Sequence, residues 1–152
     1  MQHHLYKLVL DDALFWAPLK TEPVNVVDIG TGTGIWAIDF AERYPKSNVV
    51  GTDLSLIQPT HAAPSNCSFI REDVEDNWTQ DRLFDFVHLR LMVTCFNDHD
   101  AVMKKIYDHL VPGGYVEYQA ECPVSKQVSY QRATNRSLTS RYNLSVLANL
   151  LV

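Results

Sequence analysis

Residues 26–37, VVDIGTGTGIWA, place an acid and three alternating glycines at the end of an apolar run. Glycines at this spacing let backbone N–H groups approach a ligand closely, because no Cβ stands in the way. Two parses compete. From Gly32 the run reads G-x-G-x-x-A through Gly34 and Ala37, the fingerprint of a dinucleotide site whose pyrophosphate rests on a helix N-terminus. From Asp28 it reads D-x-G-x-G-x-G, with a carboxylate ahead of Gly30, Gly32 and Gly34. Negative charge at that point disfavours a diphosphate and favours a cation.

Other acids stand at comparable positions. Asp53 ends the next apolar run, nineteen residues beyond Gly34, where it can accept hydrogen bonds from the ribose hydroxyls of any adenosine cofactor. Glu72 and Asp73 end the run after that; Asp73 suits an adenine amino group, and Val74 behind it offers a backbone N–H and an apolar face. S-adenosylmethionine fits such a rim, since it carries a sulfonium and an ammonium against one carboxylate and has no phosphate. The histidines show no metal-ligand spacing. His88, within an apolar run, reads as a hydrogen-bonded core residue, and Arg90 two residues on as either a salt-bridge partner of the acidic rim or an acceptor-binding group.

These residues need a frame that brings strand ends together. VNVVDI, NVVGTD, CSFIRED, LFDFVHLR and YVEYQAE read as five strands; IWAIDFAERY, stopped by Pro45, and residues 98–110 read as helices between them. An amphipathic helix is expected over residues 2 to about 16, from Leu5, Leu8, Val9 and Ala13. Alternating strands and helices predict an α/β fold with a doubly wound, mostly parallel sheet and helices on both faces. In such a sheet, ligands bind outside the carboxyl ends of the strands, where the informative acids lie.

The chain has 152 residues, 46% hydrophobic and 20% charged, which suits one globular domain and excludes a disordered tract. Its net charge of -5 is uneven: residues 1–122 carry 9 basic against 18 acidic groups, and the tail carries Lys126, Arg132, Arg136 and Arg141 with no acid. A core domain over 1–122 and an irregular or helical basic tail over 123–152 are expected. The tail's charge is too sparse, with too few interleaved aromatics, for nucleic-acid binding. Three scattered cysteines suggest free thiols and an intracellular setting, cytoplasmic or nuclear. The start does not read as a signal peptide, and LSVLANLLV is too short to cross a bilayer.

VVDIGTGTGIWAIDFAERYP, VVGTDLSLIQP, FIREDVEDNW, FDFVHLR and LVPGGYVEYQ resemble, in order, the successive motifs of the class I, Rossmann-like S-adenosylmethionine-dependent methyltransferases. The likeness is nearer still to the fungal group that includes the LaeA-like regulators of secondary metabolism, and QHHLYKLVLDD is similar to that group's helical lead-in. It covers roughly residues 2 to 121. The resemblance implies S-adenosylmethionine as cofactor, with Asp28, Gly30, Thr31, Gly32 and Gly34 forming the loop. It also implies Asp53 with Leu54 at the ribose, Asp73 and Val74 at adenine, and Leu89 or Arg90 near the methionine end. It implies methyl transfer to an unidentified acceptor, a small molecule or a protein side chain, and it designates no catalytic base.

The chain also departs from that pattern. Complete members have seven strands, the last two an antiparallel hairpin, and this group carries a longer N-terminal cap. Here a truncated form is expected, with a sheet of about five strands, no C-terminal antiparallel hairpin and a bare fifth edge. A non-catalytic binding or regulatory module is therefore the alternative function, and a nicotinamide oxidoreductase survives through the Gly32 parse alone.

Overall fold

The computed structural model describes residues 2–92, 94–122 and 125–132. Apolar runs form strands β1 (Asn25–Ile29), β2 (Asn48–Asp53), β3 (Cys67–Arg71), β4 (Phe84–Arg90) and β5 (Leu110–Cys122), followed by β6 (Ser125–Arg132). Helices α1 (Gln2–Val9), α2 (Ile35–Arg43) and α3 (His99–Asp108) accompany them. The sheet order is β3-β2-β1-β4-β5-β6. The first five strands are parallel, so their carboxyl ends share one edge of the sheet, and the winding reverses between β1 and β4.

Each helix covers one face because its apolar residues recur at helical spacing. Trp36, Ala37, Phe40 and Ala41 of α2 pack on Val26, Val49 and Phe86. Val102 and Ile106 of α3 pack on Val27, Val87 and Val116 on the opposite face. The two clusters form an α/β doubly wound fold, as the alternation of elements requires. Helix α3 starts where the Asp98 side chain accepts the Ala101 N–H at 3.0 Å, satisfying one of the orphan donors of its first turn. Helix α2 stops at Tyr44, ahead of Pro45, whose ring forbids a further helical residue.

Two expectations are corrected. The helix expected to run to about residue 16 ends at Val9, because Asp11 and Asp12 take φ of 51° and 63°, a left-handed turn that aspartate tolerates. From there the chain runs as a strap that buries Leu10, Leu14 and Ala17. The sheet does not end at five strands: β6 pairs antiparallel with β5, from Cys122↔Ser125 to Tyr115↔Arg132, and covers the edge expected to be bare. Lys126 and Arg132, assigned to an irregular or helical tail, thus fall in a strand that pairs antiparallel with β5. Arg136, Arg141 and LSVLANLLV lie outside the described residues.

Polar residues inside the sheet fasten the strap. Glu117, wholly buried on β5, accepts the Trp16 N–H at 2.8 Å and the Ala17 N–H at 2.6 Å, while Gln119 donates to its other oxygen at 2.8 Å. Burial pushes the Glu117 carboxyl above its ordinary range, and these donors oppose the shift. The Leu14 carbonyl accepts from Trp36 Nε1 at 2.9 Å and from Gln119 Nε2 at 3.2 Å. Glu117→Gln would turn an amide NH2 towards either the strap N–H groups or the Gln119 amide, leaving donors facing donors. A loss of about 2 kcal/mol is expected, read as a lower urea midpoint with an unchanged slope.

Candidate functional site

The strand ends converge where sequence spacing placed the acids. Gly30 and Gly34 take φ of 66° and 78°, which glycine adopts without strain, so the loop after β1 turns back tightly into α2. Their neighbours also demand glycine: a Cβ at Gly30 would stand 2.3 Å from the Met92 sulfur, and one at Gly34 would stand 2.6 Å from the Phe69 ring. Thr31 donates its N–H to the Thr52 carbonyl and accepts from the Gly34 N–H, both at 2.9 Å, which ties the loop to the end of β2.

Two carboxylates grip this loop from opposite sides. Asp28, buried within the sheet, accepts the Thr31 hydroxyl at 2.6 Å on one oxygen and His88 Nδ1 at 2.7 Å on the other. Asp53, at the open end of β2, accepts the Gly32 N–H at 2.9 Å on one oxygen, and the Ser55 N–H and hydroxyl on the other. Gln58 closes the neighbouring segment by donating to the Gly32 carbonyl at 2.6 Å.

A cavity of about 190 Å3 opens beside the loop, with Gly30, Asp53, Leu54, Glu72, Asp73 and Val74 in its wall. Met92, whose sulfur lies against Gly30, also lines it, as do Cys95, Phe96, Ile29 and Thr52. Among the described residues three acids line it, Asp53, Glu72 and Asp73, and no basic residue does. Asp73 keeps one oxygen on the Glu75 N–H at 2.9 Å, and Glu72 holds the Thr79 hydroxyl and N–H. Sequence-expected Gly30, Asp53, Leu54, Asp73 and Val74 are therefore brought together. Asp28 and Thr31 act from beneath the loop, while Gly32 and Gly34 shape it without lining the cavity.

Arg90 is placed elsewhere. Its guanidinium lies over the Tyr6 ring at 5.0 Å and donates to His3 Nδ1 at 3.3 Å, against α1. Burial holds its pKa below the usual arginine value. Since a guanidinium cannot accept, His3 Nδ1 is the acceptor, and Nε2–H donates to Asp39 at 2.9 Å. Leu89 is wholly buried in the core.

Sequence reading missed Gln58, Met92, Cys95 and Phe96. The last three follow the carboxyl end of β4, so the strand-end rule could have found them; Gln58 carries no such signal. Among the described residues no cluster of three or more histidine, cysteine or acidic side chains could hold a metal, and no helix is long and apolar enough to cross a membrane.

Five parallel strands in this order, a glycine loop after the first and an acid at the end of the second define a Rossmann-like fold. A family model described as a methyltransferase domain matches residues 1–148, and the chain belongs to that family. It is similar to the methyltransferase pytC of Aspergillus terreus, 44% identical over 120 residues that cover 78% of this chain and 37% of the relative. It is also similar to the secondary metabolism regulator LAE1 of Cochliobolus heterostrophus, 36% identical, covering 76% of this chain and 39% of that one. The chain thus spans less than half the length of these curated relatives.

Among solved structures, the plantazolicin methyltransferase BpumL, crystallised with a triazolic desmethylPZN analog and SAH, superposes with a TM-score of 0.60 at 19% identity. That superposition covers 78% of this chain and 43% of BpumL, and at that identity it shows the fold alone. A putative S-adenosylmethionine-dependent methyltransferase from Listeria monocytogenes gives a TM-score of 0.57 at 26% identity, over 66% of this chain and 49% of that one.

The contacts of His3 give α1 a pH dependence. Burial, with Arg90 close by, holds the His3 pKa below its ordinary 6.5, although Asp39 opposes the shift. The docked ring is therefore neutral at pH values where the free one is protonated, so its contribution is complete above about pH 6.5 and falls away as the pH drops below it. In urea titrations between pH 8 and 5, His3→Asn is expected to flatten the acid-side loss of stability relative to the unmodified chain.

Proposed function

We propose that this chain binds S-adenosylmethionine in the cavity at the ends of β1 to β4 and serves the transfer of its methyl group to an acceptor nucleophile. One observation carries the reading: Asp53, Glu72 and Asp73 line the cavity with no basic residue among them, a lining that attracts a sulfonium and repels a diphosphate. The residues fit the cofactor in other ways. Gly30 leaves no Cβ over the loop, Asp53 retains lone pairs for ribose hydroxyls, and Asp73 with Val74 suits the adenine edge, with Leu54 offering an apolar surface beside them.

Thr31, Gly32 and Gly34 give the loop its shape, and Asp28 holds that shape from below while adding negative charge. Arg90 enters only through α1, which it anchors. When bound, the cofactor supplies an electrophilic methyl group on a leaving sulfide. The protein's own part is to align the partners, exclude water and remove a proton where the acceptor needs it. Met92, Cys95 and Phe96 give the cavity a soft, apolar stretch of wall against which an acceptor would lie. The acceptor class remains a small molecule or a protein side chain. The free thiols Cys67 and Cys95 accord with a reducing, intracellular setting.

The regulator names that some relatives carry support a second reading: a module that binds the cofactor, or a partner, without turnover. Calorimetric titration of the folded chain with S-adenosylmethionine is expected to show saturable binding. Asp53→Ala should weaken it at least tenfold, or about 1.4 kcal/mol. Asp28→Asn should weaken it too, whereas stronger NAD binding in that variant would favour the nicotinamide reading. A folded chain that binds no S-adenosylmethionine would overturn the proposal. Binding with no methyl release to small-molecule or protein acceptors would favour the module.

A further inference from the structure

His88 lies outside the cavity lining, yet it is held on two sides within the sheet. It is wholly buried, its ring stacks on the Trp36 indole with centroids 3.7 Å apart and planes 2° apart, and its Nδ1 stands 2.7 Å from an oxygen of Asp28. Trp36 is itself fixed, because its Nε1 donates to the Leu14 carbonyl. The ring plane and the direction of Nδ1 are thus set from outside the pair.

A carboxylate accepts only, so the Nδ1 facing Asp28 carries the hydrogen. The other ring nitrogen, Nε2, is buried with no hydrogen-bond partner among the described residues. Leaving a buried polar nitrogen unmet is costly, typically about 1 to 3 kcal/mol. A residue present only to fill space would avoid that cost, since leucine or phenylalanine fills the same volume. The cost accompanies one thing a hydrocarbon cannot do, which is to donate to Asp28.

We infer that His88 is a positioning residue for the glycine loop: its Nδ1–H fixes one oxygen of Asp28, so that the other meets the Thr31 hydroxyl and holds the loop in its ligand-ready turn. Thr31 is the right point of attachment. It takes the Asp28 oxygen through its hydroxyl, donates its N–H to Thr52 and accepts from the Gly34 N–H, so its side chain and backbone together fix the turn. Without the His88 donor, the Asp28 carboxylate keeps the Thr31 hydroxyl contact but loses the one that fixes its plane. That loss loosens the grip on Thr31 while the strands beneath stay paired. His88 touches no cavity wall and acts through Asp28 alone.

This inference rests on the cofactor reading above, and the experiment separates the two. In the full chain, His88→Leu keeps the volume and removes the donor, and His88→Asn restores an N–H at nearly the position of Nδ1. Binding of S-adenosylhomocysteine is measured by calorimetry, urea stability is followed in parallel, and the amide resonances of Gly30, Thr31 and Gly32 report the loop. Expected for His88→Leu is at least a tenfold loss of affinity with those amides displaced; expected for His88→Asn is recovery to within about threefold. A folded His88→Leu chain that binds like the unmodified one, with its loop amides unmoved, overturns the inference.

If His88→Leu does not fold, His88→Gln, whose amide reaches the Nε2 position and leaves Asp28 without its donor, takes its place, alone and combined with Thr31→Val. His88→Gln alone should displace the loop resonances, but once the Thr31 hydroxyl is gone it should no longer do so, and full additivity of the two substitutions overturns the inference. If the unmodified folded chain binds no S-adenosylhomocysteine, the cofactor reading fails, and the loop resonances alone still decide the role of His88.

Discussion

A carboxylate cannot sit within a sheet unless donors surround it, and three neighbouring strands of this protein meet that demand together. Asp28, His88 and Glu117 lie side by side across β1, β4 and β5, all on the face that α2 and the strap cover. Asp28 takes its donors from His88 and Thr31, and Glu117 takes its own from the strap backbone and Gln119. The row is polar at the centre of an otherwise apolar layer, and each member fastens something that lies outside the sheet. One end secures the loop beside the cavity, and the other secures the N-terminal segment.

The same row explains why the acids at the strand ends differ in character. Asp28 is satisfied internally and spends its lone pairs on shape. Asp53 and Asp73 each hold a local N–H and still face open space, so they contribute both shape and field. Charge that a ligand can feel therefore concentrates on β2 and on the segment after β3. Asp28 makes the loop on which that charge can be used. The fold likeness to solved methyltransferases, found at low identity, fits this division, because backbone turns and strand ends can persist while side chains change.

Legibility in the sequence followed the range of the interactions. The glycine loop, Asp53, Asp73 and the alternation of strands and helices were readable because each depends on spacing within a few tens of residues. The strap was not: Glu117 and Gln119 looked like ordinary strand positions, and their partners Leu14, Trp16 and Ala17 lie about a hundred residues away. Arg90 was placed correctly at the end of β4, but its neighbours Tyr6 and His3 come from the other end of the chain. The sequence SKQVSYQR reads as part of an irregular or helical tail because its polar composition hides the alternation of a strand, and only pairing with β5 reveals it. His88 was read as a hydrogen-bonded core residue, and its partner in the structure is the motif's own acid.

The distance in sequence between Ala17 and Glu117 also bears on the order of events during synthesis. The strap leaves the ribosome about a hundred residues ahead of its anchor, which is among the last residues of the parallel sheet to emerge. Until then the sheet face that the strap will cover stays open, and the peptide groups of Trp16 and Ala17 remain hydrated. The strap is thus locked only once β5 is in place, a long-range closure of the kind that loop entropy makes slow.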